Sequence, residues 1–137
     1  DNIQAAILSH KLKSYEKVIE RRREVAKIYQ ERLEDLNELN LPAGPTMNSD
    51  NFDTYQNYEL QADNRDELKL FLADNGIGTL IQWGGTAIHQ FTNLGFNQVC
   101  PNTDRFFDRC IMLPMNIFIN TDDVHYVADK VIEFYRK

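Results

Sequence analysis

Glycine and proline are absent from the first 36 residues, and cysteine, histidine and tryptophan are scarce throughout. Without helix breakers, residues 1–36 are free to run as helix. The two cysteines, Cys100 and Cys110, make no disulfide framework, and free thiols of a cytoplasmic protein are the expectation. His10, His89 and His125 have no neighbour at metal-ligand spacing, so no metal site is expected. No apolar run approaches the roughly 18 residues of a bilayer span, and no membrane partner is expected. Basic excess is missing too: a formal net charge of −6 argues against a nucleic-acid surface. Neither a GxSxG elbow nor a GxxxxGK[ST] loop occurs. An initiator Met and a leader peptide are also lacking. Asp1 is a good N-cap followed at once by the apolar helix positions Ile3, Ile7, Leu8 and Leu12. The chain therefore reads as the tail of a longer protein.

The 42% hydrophobic and 26% charged residues are those of a soluble domain with one core. Leu8, Leu12, Tyr15, Ile19, Arg22, Ala26, Tyr29, Leu33 and Leu36 alternate four and three apart, a heptad seam with one polar member. A continuous helix of this length would run about 54 Å. A compact domain of this size has a radius of gyration of about 14 Å. The helix must break, protrude or pack on a partner, and Ser14 is the expected break. The consecutive Arg21, Arg22 and Arg23 fan out on a helix, and with Glu20 and Glu24 nearby they read as a solvated, ion-paired face.

Leu41-Pro42-Ala43-Gly44-Pro45 ends the helical region, and Thr46 to Asp53 is polar and turn-rich. Strands are predicted at 54–62, with Tyr58, Leu60 and Ala62 on one face, at 77–83 and at 110–114. Helices are predicted from Arg65 to the Asn75-Gly76 stop, over 103–109, and from the Thr121-Asp122-Asp123 start to the C-terminus. The fold class is α+β: a long N-terminal helical segment, 1–40, then a small domain, 41–137, with a largely antiparallel three-stranded sheet and helices on one face.

One segment concentrates functional chemistry. Gln82-Trp83-Gly84-Gly85-Thr86-Ala87-Ile88-His89-Gln90-Phe91 follows a predicted strand end, where sites often sit. Its amides and imidazole suit phosphate or sugar hydroxyls, and Trp83 or Phe91 could cover a ring face. The alternative is a surface loop whose aromatics pin it to the core, with Gly84-Gly85 a simple turn.

The segments also resemble, in order and over essentially the whole chain, the C-terminal part of the DegT/DnrJ/EryC1/StrS sugar aminotransferases. The matching pieces are Asp1 to Leu8 with Lys11-Leu12, then Arg22 or Arg23 with Ala26, Tyr29 and Leu33. Arg65-Asp66-Glu67-Leu68, Gly76-Ile77-Gly78-Thr79 and His89-Gln90 follow. Pro101-Asn102-Thr103, Leu113-Pro114-Met115-Asn116 and Asp122-Asp123-Val124 complete the series. The resemblance implies the small domain of a fold-type I enzyme that uses pyridoxal 5′-phosphate (PLP). It implies amine transfer, with glutamate as donor, to a nucleotide-diphosphate keto-deoxysugar by a cytoplasmic homodimer. It places the PLP lysine, the pyridine-pairing aspartate and an Asn-x-Arg element in a large domain before Asp1, so this piece alone should be inactive. Ser9-His10-Lys11 lies in an Ala-Leu-rich helix and is not that lysine. His89 matches the family's histidine after the second strand, Gln82 and Trp83 stand where His-Tyr is usual, and Gln90 completes the substrate-side set. The loop departs from the common Pro-Leu-His form by reading Ala87-Ile88-His89. Its Gln-Trp-Gly-Gly form looks like the branch that makes 3-amino deoxyhexoses on a thymidine-diphosphate carrier. Two rivals stay open: a non-catalytic α+β dimerisation module, and a PLP-dependent sugar dehydratase of the same family.

Overall fold

The computed structural model describes residues 1–45 and 52–136. Helix α1 (Asn2–Leu12) and helix α2 (Tyr15–Leu33) are separated at Lys13 and Ser14, the predicted break. There the Ser14 hydroxyl donates to the Lys11 carbonyl at 3.3 Å instead of capping α2. The heptad seam divides within α2, beyond this break. Ala26, Tyr29, Leu33 and Leu36 are buried, whereas Leu8, Leu12 and Tyr15 are exposed and α1 contributes no buried residue. Its Ile3, Ile7, Leu8 and Leu12 are left uncovered by this chain.

Among the described residues the sheet has three antiparallel strands, in the order β1 (Leu39–Asn40), β2 (Tyr58–Ala62), β3 (Cys110–Leu113). Leu39 pairs with Ala62, Tyr58 with Leu113 and Gln61 with Cys110. The architecture is α+β as expected, but one strand is not the expected one. Residues 77–83 form no strand; Leu80 alone bridges Met112 through bonds of 3.3 and 2.8 Å. Pairing stops because Trp83, Gly84 and Gly85 all take positive φ, at 52°, 68° and 78°. Three left-handed residues turn the chain away from a ladder. The third strand is instead β1, whose two residues are too few to show an alternation. Strand β2 starts later than predicted, and its Tyr58, Leu60 and Ala62 are buried as the alternation requires. Of the turn-rich stretch 46–53, residues 46–51 lie outside the described residues.

Helix α2, helix α3 (Arg65–Asp74) and helix α5 (Thr121–Tyr135) bury Tyr29, Leu33, Leu68, Leu72, Val124 and Val131 in one core with that face of β2. Helix α4 (Pro101–Arg109) runs directly into β3 and buries no residue. Helix α5 is capped one residue earlier than expected: the Asn120 side chain accepts from the Asp123 amide at 2.7 Å. Arg32 joins α2 to α5 by donating to His125 at 3.2 Å and to Asp129.

The three consecutive arginines do fan out, but not to solvent. Arg21 donates to the Ile119 carbonyl at 2.7 Å and pairs with Glu24. Arg22 donates to the carbonyls of Tyr55, at 2.9 Å, and Gln56. Arg23 donates to those of Asp53 and Pro45, at 2.7 and 2.8 Å, and lies 4.3 Å over the Phe52 ring. The expected paired face is thus mainly a set of clamps. A guanidinium offers five donors, and carbonyls outside ladders need them.

These clamps hold Tyr55 beside Tyr58, which packs on Tyr29 with ring centroids 4.9 Å apart. Burial pushes the Tyr29 and Tyr58 hydroxyls above the usual phenol range. The Tyr29 hydroxyl donates to the Pro114 carbonyl at 2.9 Å, but the Tyr58 hydroxyl has no partner among the described residues. A buried donor left unmade is costly, and removing it is not. Tyr29→Phe should therefore lower stability by about 1 kcal/mol, and Tyr58→Phe should leave it unchanged or raise it. Urea midpoints at constant slope measure both.

Candidate functional site

The loop after Leu80 is shaped by its backbone. Trp83 holds a left-handed conformation that disfavours a residue with a Cβ by about 1–2 kcal/mol. It is 79% exposed, so this strain is not repaid by burial of its indole within the chain. Gly85 could not carry a side chain without crowding, since a Cβ there would sit 3.3 Å from Ile81 Cγ2 at φ +78°. The chain then tightens into a short 3-10 turn, Ile88–Gln90, anchored by buried Ala87.

That turn is wired to α4. The Ala87 amide donates to Gln90 Oε1 at 2.9 Å, and Gln90 Nε2 donates to Asp104 Oδ1 at 2.9 Å. His89 Nε2 meets the same Asp104 oxygen at 2.7 Å, with the histidine side chain only 13% exposed. Pro101 occupies the first turn of α4, where it removes no helical bond, and Asp104 stands one step on. A carboxylate there also sits favourably in the helix dipole. The hydrogen bond from His89, and secondarily that from Gln90, hold the Asp104 carboxyl below its usual range. The sign follows: Asp104's contribution is complete above the ordinary carboxylate pKa and is lost only as pH falls through the lowered value. The linkage is intact near neutral pH.

Beside it lies a cavity of about 810 Å³, walled by Trp83, Ile88, Phe91, Phe96 and Phe107, with His89 at its polar edge. The structure thus brings together two of the four residues singled out in the sequence, His89 and Trp83. Gln90 braces the turn and does not line the cavity, and half-buried Gln82 sits with its backbone against the Cys110 thiol. Asp104, Phe96 and Phe107 are additions. The signal for Asp104 was a carboxylate in the first turn of a proline-started helix, but nothing in its spacing tied it to His89.

What the cavity can bind follows from its walls. Among the described residues no lysine and no arginine lines it, so they offer neither an amine for a Schiff base nor a cation for a phosphate. These residues do not fit PLP. Among the described residues no group of three His, Cys, Asp or Glu side chains could hold a metal, and no helix is long and apolar enough to cross a membrane. Both cysteines are free, Cys100 half-buried and Cys110 buried.

Comparison with known proteins places this arrangement. The model of the DegT/DnrJ/EryC1/StrS aminotransferase family matches residues 1–132. A pleiotropic regulatory protein of Geobacillus stearothermophilus is 31% identical over 139 residues, covering 99% of this chain and 37% of that protein. A DegT DnrJ EryC1 StrS aminotransferase from Brucella abortus superposes with a TM-score of 0.84 at 28% identity, over 100% of this chain and 36% of that one. DesI, solved in the presence of its TDP-sugar product, has the same fold at a TM-score of 0.74 and 24% identity, over 88% and 32% of the two chains. The chain spans about a third of the length of the relatives it matches.

The loop geometry is testable with the single tryptophan as reporter. Gly85→Ala should lower stability by about 1–2 kcal/mol and change Trp83 emission. Gly78→Ala, where a Cβ meets nothing within 4 Å, should change neither.

Proposed function

The chain belongs to the DegT/DnrJ/EryC1/StrS aminotransferase family, and from that premise we propose that it is the substrate-side small domain of a PLP-dependent sugar aminotransferase. In this reading an amine passes from glutamate, which becomes 2-oxoglutarate, to the carbonyl carbon of a nucleotide-linked keto-deoxysugar. Residues 1–40 link a large domain to the small domain, 41–137, in a cytoplasmic homodimer. The observation that carries the reading is the apolar cavity with an anchored imidazole at its edge.

PLP, when bound by the large domain, supplies the electron sink for amine transfer. This chain's residues supply placement. Trp83 presents an indole face that suits the apolar face of a sugar or base ring. His89 offers a ring nitrogen to a polar group of the sugar, and Ile88, Phe91, Phe96 and Phe107 line the cavity beside it with apolar surface. A group held in place by its neighbours lowers the entropic part of the barrier, which is where a domain without catalytic bases can act. Gln82 and Gln90 complete the substrate side of the loop, Gln90 by bracing it.

The name of the Geobacillus relative, a regulatory protein, favours a second reading, in which the chain is an interaction module without chemistry. Kinetics separates the two. The longer protein carrying this chain, given glutamate and a thymidine-diphosphate keto-deoxyhexose, should form 2-oxoglutarate and an amino sugar detectable by mass. The isolated chain with added PLP should form neither. His89→Asn in the longer protein should lower kcat/KM for the keto sugar about tenfold or more. An unaltered sugar with no 2-oxoglutarate would support the module, and an amine-free sugar lighter by one water would point to dehydration. Unchanged kinetics in the variant would remove His89 from the site.

A further inference from the structure

The Ala87 amide fixes the orientation of the Gln90 side chain. A backbone N–H only donates, so the Gln90 atom it meets, at 2.9 Å, is the carbonyl oxygen Oε1. The amide group of Gln90 is thereby oriented, and its Nε2 end faces Asp104 Oδ1 at 2.9 Å. An ionised carboxylate only accepts, so the His89 Nε2 that meets the same oxygen at 2.7 Å carries a hydrogen. In a neutral imidazole the second nitrogen then has none. Nδ1 of His89 has no hydrogen-bond partner among the described residues, and His89 lines the cavity. The carboxylate thus determines which kind of group His89 offers to a ligand, and the Ala87 amide sets the orientation of the Gln90 that donates to it.

We infer that Asp104, oriented by Gln90, is a positioning residue that holds His89 as its Nε2–H tautomer, so that Nδ1 is a hydrogen-bond acceptor for a hydroxyl of the sugar. The inference deepens the function proposed above and rests on it only for the identity of the ligand. The lowered pKa of the Asp104 carboxyl agrees with the geometry: a carboxylate receiving two donors keeps its charge. An accepting Nδ1 selects for a donor. It favours a free hydroxyl over a carbonyl oxygen or a phosphate oxygen at that point of the ligand. This places a hydroxyl-bearing carbon of the sugar, rather than the carbonyl carbon that receives the amine, against His89.

Nuclear magnetic resonance of the longer protein, labelled with 15N at histidine, tests the tautomer directly. A hydrogen-bonded Nε2–H of His89 is expected in the parent protein at neutral to mildly alkaline pH, assigned by its loss in His89→Ala, and it should vanish from Asp104→Ala. A proton on Nδ1, or an Nε2–H that persists in Asp104→Ala, would overturn the inference. The parent spectrum decides the point even where the variant does not fold. Kinetics tests the route of action. Asp104→Ala should lower kcat/KM for the keto sugar about tenfold, and in a His89→Ala background it should have no further effect. An additive loss would mean that Asp104 acts otherwise and would overturn its positioning role. If His89→Ala leaves kcat/KM unchanged while the Nε2–H behaves as expected, the positioning stands and the assignment of the ligand fails.

Discussion

Strand β3 is the reference to which both halves of the candidate site are fixed. Its inner edge pairs with β2 from Leu113 to Cys110, and its other edge takes Leu80 at Met112. The loop that carries Trp83 and His89 starts two residues after that bridge. Helix α4, which carries Asp104, ends at Arg109 with no linker before Cys110. An irregular loop and a helix that buries no residue are therefore tied to one four-residue strand. Arg65 reinforces the joint by donating to the Phe107 and Cys110 carbonyls at 3.0 and 2.7 Å. It thereby satisfies acceptors at the C-terminal end of α4 that a helix leaves without partners, and its cation complements the negative end of the dipole. The start of α3, the end of α4 and the start of β3 meet at one guanidinium.

The interior supports this frame by a different kind of contact. Tyr29 of α2 and Tyr58 of β2 meet across the core, and Arg22 and Arg23, about two turns before Tyr29, hold the segment that leads into β2. Only half of the apolar seam takes part. From Ala26 onward it is core; before Ser14 it is surface, and α1, eleven residues long, has no core contact to sustain it. Isolated helices of that length are marginal in water. The exposed face of Ile3, Ile7, Leu8 and Leu12 is thus the least secured part of the fold, in contrast to α2, whose register is fixed at several points.

Periodicity made the helices legible because each buries one stripe: Leu68 and Leu72 in α3, and Val124, Val127 and Val131 in α5, repeat at helical spacing. Ser14 marked the break, and Tyr58, Leu60 and Ala62 marked the buried face of β2. The apolar run at 77–83 misled because β propensity is a statement about packing, and the left-handed turn at Trp83, Gly84 and Gly85 overrides it. Glycine pairs permit such a turn but do not demand it. The arginine cluster misled for a related reason: ion pairing with Glu20 and Glu24 is a local pattern, whereas the carbonyls it serves at 45, 53, 55 and 56 are distant in sequence. The same distance hid Asp104. His89 and Trp83 were visible by chemistry, but the carboxylate that orients His89 lies fifteen residues on, across an irregular segment with no period to carry it.

The cavity's composition constrains how recognition is divided. A nucleotide-diphosphate sugar has a strongly charged part, a flat base and a largely apolar deoxysugar face. The walls here are mainly aromatic and aliphatic, and their polar members are neutral Thr86, Gln98 and Thr103 and an imidazole whose partner is a carboxylate. A diphosphate brought against these walls would lose hydration without gaining a counter-charge, which costs several kcal/mol per uncompensated charge. The chain's net charge of −6 does not favour its approach either. The sugar or base ring, by contrast, gains from burial against indole and phenyl faces and needs only one or two directional bonds to fix its orientation. In the proposed function, therefore, the charged part of the substrate belongs to residues outside this cavity, and the cavity with His89 discriminates among uncharged rings. Such a division explains why a loop with so few polar groups must hold its imidazole so firmly: when one hydrogen bond carries the orientation, its direction and polarity have to be set in advance by the protein.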